Sequence, residues 1–166
     1  DAKIDFLHRT GRRIPVTVEG RIGRNPAGEF QQTHCVLYDL TERQRAEERQ
    51  RLAGAVFDAA RESIIVTNKG GAIVAVNPAF TRISGYSEAE VLGKNPRLLQ
   101  SGRQSAAFYA AMWKTLKGED SWHGEFWNRR KDGDLYVALV TISAVRDVVG
   151  RLTHYVGIAT DITRQK

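Results

Sequence analysis

The sequence of 166 residues contains a single cysteine, Cys35, and a single methionine. One cysteine excludes an internal disulfide framework and any zinc site built from several cysteines. No apolar stretch approaches the roughly 20 residues that a membrane-spanning helix needs. The first residues are charged, which speaks against a secretory leader in the given sequence. We therefore expect a cytoplasmic location and no membrane contact for this stretch of chain.

Apolar residues make up 42% of the sequence and charged residues 27%, as in ordinary globular proteins. The net charge of +6 is spread along the chain, and the only tight basic run is 129–131. Because Asp132 and Asp134 follow that run directly, it indicates a charged hairpin turn better than a track for phosphates. We expect no nucleic-acid partner.

An internal repeat organises the chain, since residues 1–44 align without a gap on residues 123–166 at an offset of 122. Six positions are identical: Gly11/Gly133, Val18/Val140, Arg24/Arg146, Gly28/Gly150, Asp39/Asp161 and Thr41/Thr163. In the second copy, hairpin and turn signals separate three strand-like segments, which predicts a β-meander. The repeat predicts the tail of one module, a connector and a complete second module.

The connector begins near Thr41 and is almost wholly polar up to Arg51. Its residues are good helix formers, and Leu52 and Val56 begin a short apolar stripe at helical spacing. Such a helix is typical of inter-domain connectors and short dimeric coils. We therefore predict a homodimer formed through helix 41–60.

Residues 62–121 complete the second module. Two short strands at 63–67 and 72–76 flank a hairpin signal at 68–71. Helical segments follow, the longest over 105–116, before the three strands of the meander. This order predicts an α+β fold in which a five-stranded antiparallel sheet carries helices on one face.

That order and several motifs resemble a PAS domain, the sensory α+β module of bacterial signalling proteins. The matching segments are 77–80, 85–86, 90–97, 122–133 and 161–163. The resemblance implies four parts: the C-terminal strands of a preceding PAS domain over 1–40, a connector helix over 41–61, a complete PAS domain over 62–163, and the start of an exit helix over 164–166.

Segment 95–102 together with 128–130 is most similar to PAS modules that precede GGDEF and EAL cyclic-di-GMP enzymes, although related sequences also precede histidine kinases. We therefore expect a sensory and dimerisation module that controls an effector domain in cis. No catalytic motif of either enzyme class is present, so this chain is not expected to be an enzyme.

Light-sensing flavin (LOV) relatives carry a reactive cysteine where this sequence has Pro96, which excludes flavin-adduct chemistry. The resemblance implies six candidate cofactor-binding positions: Arg97, Gln100, Trp122, Asn128, Ala138 and Ala159. Of the three positions that pair with flavin through amides in LOV domains, only Asn128 carries an amide here.

An interior without a cofactor is the first expectation, and FAD is the second, because 122–132 also resembles redox-sensing PAS domains that bind FAD noncovalently. Haem is disfavoured because helix 105–116 contains no histidine for an axial ligand. No metal site is expected.

The resemblance implies a signal relay at the two matching triplets, through Asp39 and Thr41 before the connector and through Asp161 and Thr163 at the exit. Both triplets would also serve as plain helix caps. The alternatives are a ligand-free structural adaptor, an FAD redox sensor and the input domain of a histidine kinase.

Overall fold

A computed structural model describes residues 2–165 of the chain. These residues divide into two compact units, one that ends at Gly54 and one that begins at Ala55. The strands of the first unit are β1 (Ala2–Leu7), β2 (Arg13–Arg24) and β3 (Phe30–Asp39), and helix α1 (Thr41–Ala59) follows them.

The first unit is an antiparallel meander in the order β1-β2-β3. Gly11 has a φ of +82°, which the tight turn after β1 requires and which costs glycine little. Both outer strands are exposed along their whole length, and Val16 is the only buried apolar residue described in this unit.

Helix α1 has no buried residue, which agrees with its polar sequence. Exposed ion pairs one turn apart, Arg43–Glu47 at 2.8 Å and Arg51–Glu48 at 2.7 Å, support it modestly. Leu52 and Val56 are 49% and 70% exposed.

The second unit contains five strands and three helices. They are β4 (Ser63–Asn68), β5 (Ile73–Val76), α2 (Pro78–Ser84), α3 (Glu88–Val91), α4 (Ala106–Glu119), β6 (Ser121–Arg129), β7 (Leu135–Arg146) and β8 (Leu152–Asp161), with 3-10 turns at Pro96–Leu99 and Thr163–Gln165. All pairings are antiparallel, in the order β5-β4-β8-β7-β6. This confirms the predicted fold class.

Polar caps fix where the helices begin. Asn77 and Asn95 each accept a hydrogen bond from the backbone at the start of a helical segment, and proline follows each of them. Ser87 and Glu90 form a reciprocal capping box at α3, and Ser105 caps α4.

The core lies between the helices and the inner face of the sheet. One cluster joins β5, α2, α3 and the first 3-10 turn through Ile73, Val76, Phe80, Val91 and Leu99. A second cluster contains Tyr136, Ala138 and Val140 of β7. Within residues 2–165, no helix combines the length and the apolar character needed to cross a bilayer.

Candidate functional site

A group of polar contacts surrounds the end of β8, and we call Arg130, Tyr136, Asp161 and Thr163 the exit cluster. The Arg130 guanidinium donates to Asp161 with Nη2 to Oδ2 at 2.5 Å, and both side chains are about one quarter exposed, at 24% and 25%. Its other terminal nitrogen donates to the carbonyl oxygen of Ile83 near the end of α2. The guanidinium carbon lies 4.3 Å from the centre of the Tyr136 ring, a cation–π distance.

Thr163 joins the same cluster to the neighbouring strand. Its hydroxyl donates to Asp161 Oδ1 at 2.6 Å and accepts from the backbone N–H of Val137 at 3.0 Å. The backbone N–H groups of Thr163 and Ile162 add bonds to Asp161 Oδ1 and to the Val137 carbonyl. The chain that leaves β8 is therefore fixed to β7 as well as to Arg130.

The carboxylate of Asp161 is held in its charged form. Partial burial raises its pKa, but the hydrogen bonds from the Thr163 hydroxyl and from Arg130 outweigh burial, so the pKa lies below its ordinary value of 3.8. The ion pair consequently persists at neutral pH.

Lys131, the next residue of the β6–β7 turn, reaches the same helical segment. Its backbone N–H donates to the Ser84 carbonyl at 2.8 Å, and its ammonium contacts the Glu90 carboxylate at 2.5 Å. The hydrogen bonds from Lys131 and from the Ser87 backbone lower the pKa of Glu90 to about 2. The turn predicted as a charged hairpin is thus tied to α2 and α3.

Asn77 occupies the opposite end of α2 and is 1% exposed. Its Oδ1 accepts from the backbone N–H of Ile64 at 2.9 Å and of Phe80 at 3.0 Å. Its amide nitrogen donates to the carbonyl oxygens of Phe57 at 3.2 Å and Glu62 at 2.9 Å. One buried side chain therefore joins the last turns of α1, strand β4 and the start of α2.

Four of the predicted cofactor positions lie on the inner face of the sheet. Trp122 and Ala159 pack against the β7 cluster, and Ala138 is fully buried within it. Asn128 lies opposite Tyr136 in the register of β6 and β7. The sheet therefore places these four positions on one face.

The remaining two positions, Arg97 and Gln100, are both exposed. Gln100 forms an isolated backbone bridge with Asn128. Neither side chain belongs to the buried cluster of β7.

Aromatic rings occupy the inner face next to Asn128. Phe108 meets Trp122 and Phe126 edge-on at 5.9 and 5.5 Å between ring centres, and Trp122 lies 5.1 Å from Phe126. The Tyr109 hydroxyl is enclosed beside them, and burial raises its pKa.

This arrangement does not fit a flavin held by LOV-type pairing. The two alanines, Ala138 and Ala159, offer no polar side chain, so two of the three amides that such pairing uses are missing.

No group of three or more potential metal ligands occurs within residues 2–165. Three histidines have ordinary polar partners instead: His8 with Thr10, His34 with Gln32, and His123 with Thr141.

The relay residues Asp39 and Thr41 share the backbone cap of the exit pair, but the buried Thr41 hydroxyl has no hydrogen-bond partner among the described residues, whereas the Thr163 hydroxyl has two. The Thr41 backbone N–H donates to Asp39 Oδ1 at 2.8 Å, and Thr41 is the first residue of α1. Both predicted triplets therefore form Asp-to-backbone caps.

Sequence reasoning missed Arg130 and Asn77 as connecting residues. Arg130 belongs to the run predicted as a charged hairpin turn, and such a basic run carries no sign of which side chain turns inward. Asn77 lies in segment 77–80, which resembles a PAS motif, but that resemblance gives no sign of its bonds to Phe57 and Ile64.

Comparison with known proteins gives the family. A family model described as PAS domain matches residues 61–164. The nitrogen fixation regulatory protein of Klebsiella oxytoca is 39% identical over 108 residues, which is 65% of this chain and 22% of that protein. The blue-light-activated histidine kinase of Brucella ovis is 34% identical over 91 residues, 55% of this chain and 19% of that protein.

The PAS domain of a protein from Colwellia psychrerythraea superposes with a TM-score of 0.66 at 21% identity, over 70% of this chain and 98% of that one. The chain spans only about a fifth of the curated relatives above, 22% and 19% of their lengths. These relatives carry regulatory and kinase names, in keeping with a signalling role. The chain belongs to the PAS family of sensory domains, and residues 61–164 form that domain.

Proposed function

We propose that this PAS domain is an input domain in which α2 transmits a change from the connector side of the module to the chain that leaves β8. The observation that carries the proposal is that α2 is hydrogen-bonded at both ends. Asn77 joins its start to the Phe57 carbonyl of α1, and Arg130 joins the Ile83 carbonyl near its end to Asp161.

The geometry supports a switch more than a passive spacer because the exit contacts are few and directional. Arg130 serves three groups at once: the Ile83 carbonyl, the Asp161 carboxylate and the Tyr136 ring. If α2 shifts so that the Ile83 carbonyl no longer accepts from Arg130, the planar guanidinium moves to a position that suits its two remaining partners. Asp161 and Thr163 must then adjust, and a dimeric effector responds to that adjustment.

The effector is a domain of the same polypeptide, with histidine kinase and cyclic-di-GMP chemistry as the two candidates. The name of the Brucella ovis relative supports a histidine kinase. The similarity of segment 95–102 to PAS modules before GGDEF and EAL enzymes supports cyclic-di-GMP. Dimerisation through helix 41–60 is part of the proposal, since Leu52 and Val56 expose apolar surface there.

Residues 2–41 are the closing strands of a second PAS domain in this proposal. The repeat supports this part of the proposal, because strands β2 and β3 begin and end 122 residues before strands β7 and β8. Slow hydrogen exchange of β1–β3 in the natural polypeptide extended upstream of residue 1 is the expected result. Exchange as fast as in an unfolded chain would contradict this part.

The test of the relay is Arg130→Lys in the natural polypeptide that carries the effector. Lysine keeps the charge but cannot serve the Ile83 carbonyl, Asp161 and the Tyr136 ring together. We expect the output, autophosphorylation or cyclic-di-GMP turnover, to change by about 5-fold or more, the scale of ordinary coupling between sites.

Arg146→Lys is the matched control, because Arg146 forms an ion pair with Asp120 at 2.6 Å whose side chains are 41% and 48% exposed, away from the exit. Urea unfolding of both variants checks that the fold is retained. Normal output from a folded Arg130→Lys variant would favour the ligand-free adaptor instead.

A further inference from the structure

The first sheet repeats the second in its hydrogen bonds as well as its sequence. Strands β2 and β3 match β7 and β8 residue for residue at the offset of 122, and both sheets have a register shift at the equivalent place in the second strand. Four hydrogen bonds of the first sheet have an equivalent in the second.

In the turn before the last strand, the Arg24 side chain donates to the Gly28 carbonyl at 2.9 Å, as Arg146 does to Gly150 at 3.1 Å. The Gly28 N–H donates to the Asn25 carbonyl at 2.9 Å, as the Gly150 N–H does to Asp147 at 2.9 Å.

After the last strand, the Leu40 N–H donates to the Pro15 carbonyl at 2.8 Å, as the Ile162 N–H does to Val137 at 2.9 Å. The Thr41 N–H donates to the Asp39 carboxylate at 2.8 Å, as the Thr163 N–H does to Asp161 at 3.0 Å.

The two sheets differ in what covers their inner faces. Alternation places Ile4, Phe6, Val16, Cys35 and Leu37 on one face of the first sheet. Ile4 is 46% exposed, Phe6 43% and Leu37 55%. The equivalent face of the second sheet, around Ala138 at 0%, is packed against the helical layer.

Strand β3 also has an open edge that its counterpart lacks. In the second unit, β8 pairs with β7 on one side and with β4 on the other. In the first unit, β3 pairs only with β2 among the described residues. An apolar face beside an open strand edge is the arrangement that another segment completes by strand addition.

We infer that the inner face of the first sheet binds a segment of two β-strands followed by helices, of the kind that residues 63–119 form over the second sheet. The segment comes from the same polypeptide upstream of β1. This inference rests on the proposal that residues 2–41 close a second PAS domain. It adds which face of the first sheet is covered, which edge of β3 pairs with the added strand and in which register.

The repeat fixes the register of the added strand. Residues 63–68 of β4 pair antiparallel with 154–159 of β8. Subtracting the offset of 122 from 154–159 gives residues 32–37 of β3, so the added strand lies antiparallel along these residues. Its helices then cover Phe6, Val16 and Leu37, which line a shallow, open depression on this face.

Cys35 provides a direct probe of this face. It is the only cysteine, it is exposed, and it lies on the same face as Leu37. The test compares the rate of iodoacetamide alkylation of Cys35 in the 166-residue chain and in the natural polypeptide extended upstream. We expect rapid labelling in the shorter chain at every protein concentration, and labelling slowed at least about tenfold in the extended one, since the reagent needs an accessible thiolate.

Val36→Cys in a Cys35→Ser background is the matched control, because Val36 lies on the opposite face and is 48% exposed. It should stay reactive in both polypeptides. Protection of Cys35 in the shorter chain that is lost on dilution would assign the face to a second copy and overturn the inference. Protection of both cysteines in the extended chain would overturn the assignment to the inner face.

The outcomes also separate this inference from the proposal on which it rests. Slow hydrogen exchange of β1–β3 in the extended polypeptide with Cys35 still reactive would overturn the inference alone. Fast exchange with Cys35 reactive would overturn both. The output of the Arg130→Lys variant reports on the relay independently of either result.

Discussion

Asp161 and Arg130, the two partners of the exit ion pair, differ in how far the sequence predicts their contacts. Asp161 was predicted to cap the start of the exit segment, and its carboxylate accepts the Thr163 N–H and also forms an ion pair with Arg130. Arg130 sits between Arg129 and Lys131, and nothing in three adjacent cations tells which one turns toward the sheet. That choice depends on strand alternation at a hairpin and on the position of Ile83, 47 residues away.

Replacement of Asn77 by alanine tests the buried amide. The change removes two acceptor and two donor contacts and leaves the N–H of Ile64 and the carbonyl of Glu62 without that partner. We expect the free energy of unfolding to fall by about 3 kcal/mol, since buried polar groups without partners cost about 1–3 kcal/mol each. Urea denaturation measures it.

Asn95→Ala is the control for this prediction. Asn95 also caps a helical segment before a proline, but the described contact of its side chain is the Arg97 N–H at 3.0 Å. Its loss should cost about 1 kcal/mol. Equal losses in the two variants would contradict the special role of Asn77.

The charge of Asp161 predicts a pH dependence. Because its folded-state pKa lies below the ordinary 3.8, the carboxylate stabilises the fold above that pH, and this contribution is lost as the pH falls through the folded-state value. The urea midpoint of the wild type should exceed that of Asp161→Asn at neutral pH, and the difference should shrink on acidification below pH 3.8.

Asp120→Asn provides the comparison, since Asp120 pairs with Arg146 at 2.6 Å but is 48% exposed. Solvent screens that pair, so its substitution should change the midpoint less. An Asp161→Asn difference that stayed constant into acid would show that charge is not what stabilises the exit.

At the scale of elements, strand β6 and helix α4 meet through their aromatic side chains. Gly124 lies beneath the Trp122 indole, and an added Cβ would come within 2.5 Å of that ring. Gly124→Ala should therefore displace Trp122, shift the tryptophan emission and destabilise the domain by about 1–3 kcal/mol, as overpacking does.

Gly118→Ala is the matched substitution within α4, because its added Cβ meets nothing within 4 Å. It should stabilise the helix by up to about 1 kcal/mol. A Gly124→Ala variant with wild-type stability and unchanged emission would mean that the ring moves freely, contrary to the packing described.

Hairpins and caps were the elements that the sequence predicted best, because their signals are local. The bounds of β4, β5 and α1 follow from turn residues and polar composition within each segment. What packs against the inner face of the second sheet was harder to predict from the sequence. Whether Ala138 and Ala159 leave room for a ligand or face a closed interior depends on Phe108 and Trp122, which come from other elements.

At the scale of the whole molecule, the two sheets predict two levels of stability. The first has one buried apolar residue described, Val16, whereas the second packs two clusters under its helices. Three strands without a covering layer are marginal in water. In the 166-residue chain, backbone amides of 13–39 should exchange with deuterium faster than their repeats at 135–161.

Mass spectrometry of peptides from the two repeats in one sample measures both under identical conditions. Equal protection of the repeats would contradict the prediction and would mean that the first sheet is already covered in this chain. Faster hydrogen exchange of residues 135–161 than of residues 13–39 would contradict the assignment of the buried core to the second sheet.

The contacts of Asn77 carry a consequence for the order in which the domain folds. Its partners lie 3, 13, 15 and 20 residues away, so its corner closes short loops. The Arg130 contacts span 31 and 47 residues and close longer ones at greater entropic cost. The Asn77 corner should form before the rate-limiting barrier and the exit after it. Asn77 substitutions would then slow refolding, and Arg130 substitutions would speed unfolding, so the chain that leaves β8 would also be the first segment of the domain to open.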